Sequence, residues 1–295
     1  MRRPTSGGGG GLSLHQVETM HRRAAAISSD TPGERLPVPR TGDELQRLGE
    51  TLNEMLARLE AAIERERTFV ADAGHEQRTP LALLRTELEL ALHQGRTTDE
   101  LREAIRRSSH EADRLSQLAE DLLLIACTDR GRLPLQLDDL AVDDLFATIG
   151  GRFQWRVHEA GTPIQTHPAP GIRVHGDRIR LEQALSNLVD NALRDGGGAV
   201  SLAAQRSNSH VELHVRDEGA GFPPAFLEQA FERFTRANAA RTGDGAGLGL
   251  AIARTIAEAH DGSAHATNTS PRGADVWISI PASNLPGTMA PCRSS

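Results

Sequence analysis

The sequence predicts an α+β fold, in which a dimeric helical-hairpin four-helix bundle is followed by an α/β sandwich. Two observations lead to this prediction. Apolar residues recur at spacings of three and four over residues 45–92 and again over 101–122, as in helices that pack along one seam. Past residue 130 they fall instead into short β-rich runs separated by helical stretches, which is typical of a sheet covered by helices.

Two long helices are predicted after a glycine-rich start. Residues 1–11 hold five consecutive glycines and are expected to be disordered, and a short amphipathic helix is predicted at 12–27. The first long helix runs from about residue 45 to the polar stretch around Gly95, and the second begins near Asp99. The seam residues are Leu45, Leu48, Leu52, Met55, Leu59 and Ala62 in the first helix, and Leu101, Ile105, Ser108, Ala112, Leu115, Ala119 and Leu122 in the second.

Such a hairpin has a single apolar stripe that it cannot bury alone. A homodimer that forms a four-helix bundle is therefore predicted.

The second half of the chain is expected to form a mixed sheet with helices on one face. Its short β-rich runs are joined by short loops, and a C-terminal tail at 284–295 is expected to be disordered. The predicted strands lie at 172–177, 199–205, 210–217, 263–269 and 274–280, and the predicted helices near 142–160, 178–194 and 247–260.

Composition restricts the function classes. The chain carries 40 acidic and 33 basic residues, a net charge of −7, so nucleic acid is not expected as a direct partner. Cys127 and Cys292 are the two cysteines, too few for a disulfide framework, and they fit a reducing cytoplasm. No run approaches the roughly 18–20 consecutive apolar residues that a membrane span needs. The chain as sequenced is therefore expected in the cytoplasm.

His75 is the first candidate for chemistry. It lies on a predicted helix with Thr79 four residues later on the same face, and Pro80 is expected to bend the helix just after it. A neutral imidazole is a nucleophile near neutral pH, and Glu76 is placed to hold or accept its proton. The alternative is a solvated helix face with an incidental histidine, which the proline and the flanking pattern disfavour.

Asn187 and Asn191 form the second candidate. They lie four residues apart on a predicted helix, so both amides can point into one pocket, and an amide oxygen suits Mg²⁺. Alone this spacing is a weak signal, since surface asparagines often share it.

The third and fourth candidates are glycine-rich. Asp217 ends a predicted strand, and Gly219 and Gly221 after it let the backbone approach a flat ligand, although a hairpin turn alone would explain the same residues. Glycines at alternate positions from 243 to 249 lead into a helix whose first amides can face phosphate oxygens; a flexible linker is the alternative.

Taken together, these motifs resemble those of sensor histidine kinases. FVADAGHEQRTPLALLRTELELAL resembles the phosphoacceptor helix of that family, and GDELQRLGETLNEMLARLE resembles the second helix of a HAMP segment. All four motifs occur in family order. The resemblance implies a HAMP-like signalling segment at 12–64, a dimerisation and histidine phosphotransfer domain at 65–130, and an ATP-binding domain of the GHKL (Bergerat) type at 131–283.

The resemblance also implies roles for the helix residues. His75 is the implied phosphoacceptor, Glu76 its acid/base partner, and Thr79 the residue that supports phosphatase activity. Gly74 stands where the family commonly has serine, and Gln77 where it commonly has leucine.

For the nucleotide, the implied ligands are ATP and Mg²⁺. Asn191 is the implied Mg²⁺ ligand, and Asp217 is assigned to the adenine amino group. After Arg194 the family often has an aromatic residue or histidine, whereas this chain has Asp195, which is expected to repel the triphosphate unless it turns outward. The residues implied near the nucleotide are Asn187, Asn191, Arg194, Asp217, Gly219, Gly221, Arg236, Gly245, Gly247, Leu248 and Gly249.

The implied function is autophosphorylation of His75 and transfer of the phosphoryl group to an aspartate of a response-regulator receiver domain. Related GHKL-type ATPases carry a glutamate where this chain has Asn187, and an amide cannot act as a general base, so hydrolysis is disfavoured. A response-regulator phosphatase and a non-catalytic dimeric scaffold are the alternatives. Membrane contact is expected only through an upstream segment that is absent from this chain.

Overall fold

The computed structural model divides into two compact units, Met1–His75 and Glu76–Ser295. The expectations for the glycine-rich start, for the helix at 12–27 and for the C-terminal tail lie outside the described residues. The residues that the structure describes are 35–38, 44–92, 97–129, 133–160, 162–237 and 246–283.

Two long helices confirm the predicted helical segments. α1 spans Glu44–Ala91 and α2 spans Thr98–Asp129. Pro80 lies inside α1 without ending it. At the start of α2 the Glu100 carboxylate accepts from the Thr97 N–H at 2.7 Å, and Thr97 Oγ1 accepts from the Glu100 N–H at 3.3 Å, a capping box. Among the described residues, no helix combines the length and apolar character that crossing a membrane requires.

In the first unit, residues 35–38 have no regular secondary structure and are attached to α1. The Leu36 N–H donates to Asn53 Oδ1 at 2.8 Å, and the Leu36 carbonyl accepts from Asn53 Nδ2 at 3.0 Å. Arg35 adds an ion pair with Glu60 at 2.7 Å. Because one amide side chain satisfies both backbone groups of Leu36, the segment is held at one position along the helix.

The second unit contains the predicted α/β sandwich. Its main sheet has the order β2-β4-β5-β7-β6, with β2 parallel to β4 and the other neighbours antiparallel. The elements are β1 (Asp138–Ala141), α3 (Val142–Ala160), β2 (Ile164–Thr166), β3 (Arg173–Gly176), α4 (Arg178–Asp195), β4 (Val200–Ser207), β5 (His210–Arg216), α5 (Pro224–Leu227), α6 (Gly249–Ala259), β6 (Ser263–Asn268) and β7 (Ala274–Pro281).

The core of the sandwich is mainly aliphatic, and aromatic residues make up only 3% of the chain. Alternate residues of the central strands and one stripe of each long helix are buried, and full burial of each such side chain contributes roughly 1.5–3 kcal/mol. The largest fully buried side chains include Phe146 and Ile149 of α3, Leu181, Leu185 and Leu188 of α4, Leu202, Leu213 and Ile278 of the sheet, and Ile252 and Ile256 of α6.

One predicted strand pairs differently from the expectation. The run at 172–177 was expected in the main sheet, but β3 forms a separate two-stranded antiparallel sheet with β1, with Leu140 opposite Val174. The strands β1 and β2 were not predicted. They have four and three residues, too short to show an alternating pattern, and they exist because a partner strand supplies their hydrogen bonds.

A buried contact joins the ends of the two helices that border the cleft described below. The Asp177 N–H donates to His260 Nε2 at 2.9 Å, and His260 Nδ1 donates to the Ile256 carbonyl at 2.8 Å. His260 is 4% exposed, and this pattern requires the neutral ring with its proton on Nδ1. The Asp177 carboxylate in turn caps α4 by accepting from the Arg180 N–H at 3.1 Å.

We expect His260→Ala to lower the free energy of unfolding by about 2–4 kcal/mol, because it leaves a cavity and removes the acceptor of a buried N–H. Urea denaturation followed by circular dichroism would measure the change. His167→Ala, at an exposed position of the same unit, is the matched control and should change it by less than about 0.5 kcal/mol. Equal effects of the two substitutions would contradict the assigned role of His260.

Candidate functional site

His75 lies on α1 and is exposed, as is Thr79 one turn later. Glu76 is half-buried. Among the described residues, neither the His75 imidazole nor the Glu76 carboxylate has a hydrogen-bonding partner, so the two side chains are not paired in this structure. A Cβ built on Gly74 would meet nothing within 4 Å, and the serine that the family commonly has at this position would therefore fit.

A cleft of about 770 Å³ lies in the second unit, between α4, the segment after β5 and the start of α6. This volume is within the range of roughly 300–1,000 Å³ that is usual for small-molecule sites. Eight of the predicted binding residues line it, and they come from three separate parts of the chain. They are Asn187, Asn191, Arg194, Asp217, Gly221, Arg236, Gly247 and Gly249.

α4 presents a polar face to the cleft because its opposite face is buried. Its buried residues recur at spacings of three and four and are all apolar. Asn187, Asn191 and Arg194 therefore share the other face and line the cleft. Asn187 Nδ2 is buried and has no hydrogen-bond partner among the described residues, and an unsatisfied buried donor is unfavourable unless a ligand completes it.

Arg194 is already bound to carboxylates. Its Nε and Nη2 donate to Asp195 Oδ2 at 2.9 and 2.8 Å, and its Nη1 lies 3.8 Å from Asp190 Oδ2. Nη2 also lies 3.5 Å from Asn191 Oδ1. Asp195 lines the cleft and its charge is offset by Arg194, so a bound anion must compete with the Asp195 carboxylate for Arg194.

Asp217 follows the last residue of β5 and is 8% exposed. Its N–H donates to the Ala274 carbonyl at 3.0 Å, and its Oδ1 accepts from the Gly219 N–H at 2.8 Å. Burial raises the pKa of Asp217, and the backbone hydrogen bonds from Gly219 and Ala274 oppose that rise. A carboxylate held in this way on the cleft wall can accept a hydrogen bond from an exocyclic amine.

The loop after α4 packs backbone to backbone against the turn that holds Asp217. The Glu218 N–H donates to the Gly197 carbonyl at 2.8 Å. A Cβ on Gly219 would lie 2.7 Å from backbone atoms of Gly196 and Gly197, which leaves no room for a side chain. The short loop of Gly196, Gly197 and Gly198 therefore sets how closely α4 approaches Asp217.

The segment before α6 is also closely packed. Gly247 has φ +67, and a Cβ there would lie 2.8 Å from the Thr235 carbonyl, so an L side chain would be strained. Leu248 is 2% exposed and is not one of the described residues that line the cleft. Gly249 begins α6, and a Cβ there would lie 3.7 Å from the Asn187 Cβ. The first turn of α6 thus lies beside the asparagine face of α4.

Arg236, Gly219 and Gly245 lie at different positions relative to the cleft. Arg236 is exposed at the rim of the cleft. Gly221 lines the cleft, whereas Gly219 lies beside it. Gly245 lies outside the described residues.

The sequence interpretation missed an apolar wall. Phe222 and Phe226 line the cleft with ring centroids 5.5 Å apart. Asn268 holds Phe222 by accepting from its N–H at 2.7 Å and donating to its carbonyl at 2.8 Å. An apolar aromatic wall near a carboxylate suits a flat heterocycle with an amino group. Two aromatic residues spaced by four after the glycine turn were the available signal.

Three family models match the chain. The model described as "Histidine kinase-, DNA gyrase B-, and HSP90-like ATPase" matches residues 176–284. The "His Kinase A (phospho-acceptor) domain" matches residues 65–131, and the HAMP domain matches residues 10–61.

Named relatives align over most of the chain. "Signal transduction histidine-protein kinase BaeS" of Escherichia coli is 35% identical over 83% of this chain and 53% of its own length. "Probable sensor histidine kinase HK" of Mycobacterium tuberculosis is 33% identical over 97% of this chain and 71% of its own length. "Sensor protein IrlS" of Burkholderia pseudomallei is 31% identical over 92% of this chain and 59% of its own length. The chain therefore spans between half and three quarters of these relatives.

Solved structures share the fold. Full-length ShkA in complex with AMPPNP is 27% identical, covers 74% of this chain and 46% of its own, and has a TM-score of 0.53. Histidine kinase ThkA in complex with the response regulator protein TrrA is 22% identical, covers 82% of this chain and 68% of its own, and has a TM-score of 0.59.

We expect Asp195→Asn to tighten nucleotide binding about two- to fivefold. The substitution removes the carboxylate that competes with the nucleotide phosphates for Arg194, and the exposed ion pair that is lost is weak. Isothermal titration with Mg-ATP would measure the dissociation constant. Asp144→Asn removes the same charge at an exposed position on α3, outside the residues that line the cleft, and should leave the constant unchanged. An unchanged or weaker affinity in Asp195→Asn would show that Asp195 does not restrain Arg194.

Proposed function

The chain belongs to the sensor histidine kinases of two-component signal transduction, and we propose that it is an ATP-dependent protein-histidine kinase that phosphorylates its own His75. The phosphoryl group then passes to an aspartate in the receiver domain of a response regulator. The curated relatives are named as histidine kinases, and ThkA, which shares the fold, was solved with a response regulator.

The cleft is the observation that best supports the proposal. Three motifs that are tens of residues apart in sequence line one space of nucleotide size. Asp217 and the Phe222–Phe226 wall suit the adenine ring, and the amides at the start of α6 suit phosphate oxygens. ShkA, a structural neighbour, was solved with AMPPNP, which supports ATP as the nucleotide.

Asn187 and Asn191 are the residues that we infer to hold the phosphates and Mg²⁺. The buried Asn187 Nδ2 lacks a partner, and a phosphate oxygen would satisfy it. Asn191 offers an amide oxygen, a ligand type that Mg²⁺ accepts together with water and phosphate. When bound, Mg²⁺ neutralises phosphate charge. Arg194 would exchange Asp195 for a phosphate oxygen.

Transfer to histidine is favoured over hydrolysis of ATP. Asn187 is an amide and cannot accept a proton from water. Among the described residues, the carboxylates that line the cleft are Asp190, Asp195 and Asp217; the first two lie at Arg194, and we assign the third to adenine.

In the proposed transfer, a nitrogen of the His75 imidazole forms a bond to the γ-phosphorus. The bond from that phosphorus to the β–γ bridging oxygen breaks, and ADP leaves. The other ring nitrogen releases its proton, which Glu76 accepts. Exposure of His75 supports this role because the ring must enter the cleft of an ATP-binding domain, and catalysis then rests on positioning and charge neutralisation.

Exposed leucines on the hairpin helices support the proposed homodimer. Leu81, Leu83, Leu88 and Leu90 of α1 are 51%, 52%, 47% and 41% exposed, and Ile105 of α2 is 64% exposed. Leu81 and Leu88 form one stripe of α1, and Leu83 and Leu90 form a second stripe about 160° away around the helix; exposed apolar stripes mark surfaces that a partner covers. A second copy of the hairpin would bury them in a four-helix bundle.

Response-regulator phosphatase activity is a second candidate function. Thr79 is exposed and lies one helical turn after His75. A hydroxyl at this place can orient a water molecule against a phosphoaspartate of a bound receiver domain. The cleft, with its predicted residues assembled, disfavours the scaffold alternative.

We expect incubation with γ-labelled ATP and Mg²⁺ to place label on the wild-type protein, since His75 is exposed and the cleft is assembled. The label should survive base, be lost in acid and be absent from His75→Ala. Phosphorimaging after electrophoresis measures it.

His110→Ala, which removes another exposed histidine from the hairpin, is the control and should label like the wild type. Label that persists in His75→Ala would contradict the assigned phosphoacceptor. Nucleotide binding without any label would favour the phosphatase or scaffold function.

We expect Leu88→Glu to raise the dissociation constant of the homodimer by tenfold or more, because it places a charge in a buried seam. Sedimentation equilibrium measures the constant. Ala82→Glu adds the same charge at an exposed position about 120° around α1 from Leu88, and should leave the dimer intact. Equal weakening by both variants would contradict a seam at Leu88.

A further inference from the structure

The last turns of α2 lie against the sandwich. Among the described residues, α2 makes its main tertiary contact with α6. Leu118, Leu124 and Ile125 of α2 are 7%, 4% and 0% exposed, and Asp121 between them in sequence is 8% exposed. Removing a carboxylate from water is unfavourable unless hydrogen bonds or an opposite charge compensate. The partners of Asp121 therefore decide how stable this contact is.

Two amide side chains compensate Asp121. Gln117, one turn earlier on α2, donates to Asp121 Oδ1 at 2.9 Å, and Gln183 of α4 donates to the same oxygen at 3.4 Å. Arg180 donates to Gln183 Oε1 at 3.0 Å, so the amide nitrogen of Gln183 is the group that faces Asp121. Among the described residues, Asp121 forms no salt bridge. It is a buried acid held by neutral donors.

Gln183 belongs to the cleft face of α4. Gln183, Asn187 and Asn191 follow one another at steps of four residues and so lie along one side of the helix. α6, the helix that α2 contacts, begins at Gly249 in the cleft. Both helices that meet the end of α2 therefore carry residues of the nucleotide site.

We propose that Asp121 is a positioning residue whose contact with Gln183 holds α2 against the ATP-binding sandwich, and that the charge on Asp121 sets how often the sandwich is released from α2. The contact is strongest when Asp121 is neutral, because a buried carboxylic acid needs less compensation than a carboxylate. For the proposed kinase, on which this consequence rests, release sets how often the cleft is free to move along the hairpin.

The pKa of Asp121 gives the contact its pH dependence. Burial raises this pKa from 3.8 to about 6, the hydrogen bonds from Gln117 and Gln183 oppose the rise, and the nearby Glu120 adds to it. In the released state the pKa returns toward 3.8, so the contact takes up a proton as it forms. It is most stable at low pH, weakens as pH rises from about 4 to 6, and changes little above that.

Among the described residues, all three helices at the contact carry other charged groups. On α2 the neighbouring acid is Glu120, which is exposed. On α4 the cation Arg180 is engaged with Gln183. On α6 the charged residues are Arg254 and Glu258, which pair with each other at 2.7 Å.

Hydrogen exchange between pH 5 and pH 8, corrected for intrinsic rates, tests the proposal on the full chain. The peptides read are those covering 115–129 and 249–259. Wild-type protection is expected to fall about tenfold over this range, as the pKa values of 3.8 and about 6 require. Asp121→Asn keeps the acceptor oxygen without the charge, so its protection should stay at the level that the wild type shows at pH 5.

Asp113→Asn is the matched control, since it removes the same charge from an exposed position of α2 and should keep the wild-type profile. A wild-type profile in Asp121→Asn, or a wild-type protein whose protection does not change with pH, overturns the proposal.

Gln183→Met tests the contact from α4 with a side chain of similar size and no donor. It is expected to lower protection of 115–129 several-fold at pH 5, and unchanged protection there overturns the proposal. This variant also decides the matter if Asp121→Asn proves unstable by circular dichroism.

Labelling of His75 is followed in the same samples, so that the two proposals fail separately. If hydrogen-exchange protection depends on pH as expected but His75 is never labelled, the proposed contact is supported and the kinase function is contradicted. If the pH profile of labelling is the same in wild type and Asp121→Asn, and their hydrogen-exchange profiles are also the same, the kinase function is supported and the proposed contact is overturned.

Discussion

The buried hydrogen bond from the Asp177 N–H to His260 Nε2 is the contact on which the candidate site depends. It joins the start of α4 to the end of α6, so the two helices that border the cleft are held at one spacing. The same Asp177 carboxylate caps α4 and accepts from the Gln136 N–H at 2.9 Å, which fastens the chain segment after α2. Because His260 must donate through Nδ1 and accept through Nε2, the contact exists only with the neutral ring, and its geometry leaves little freedom to the helices that it joins.

With α4 and α6 held at this spacing, the chemistry of the cleft depends on the two opposite faces of α4. Leucines, alanines and a valine bury one face in the core, and the other presents two amides, one guanidinium and the carboxylates of Asp190 and Asp195 to the cleft. Amides can hold phosphate and metal but cannot activate water, which favours transfer of a phosphoryl group to an external nucleophile. The Arg194–Asp195 pair reduces the positive charge available to the triphosphate. These groups therefore fit the proposed phosphoryl transfer without making the site strongly electropositive.

The hairpin of α1 and α2 has apolar surface in two places that it cannot bury by itself. Leucines of α1 remain exposed, which points to a second hairpin, and the end of α2 is covered by the sandwich instead. Two kinds of partner thus cover different apolar surfaces on the same pair of helices. An acidic residue buried at the second contact makes that contact easier to break than an apolar one of the same size, because its stability depends on a charge state and on two amides.

The sequence by itself determined the element types and the classes of residue in the cleft. Long stretches of regular spacing identify helices without tertiary help, and motif residues such as Asn191 and Asp217 carry their chemistry in their side chains. Only the tertiary structure decided the pairing of β3 with β1, the contact of His260 with a residue 83 positions away, and the burial of Asp121. Short strands have too little pattern to be seen alone, and the partner of a polar side chain depends on which distant residue the fold brings within hydrogen-bonding distance. Local sequence encodes periodicity and chemical type, whereas burial and pairing arise when the elements pack together.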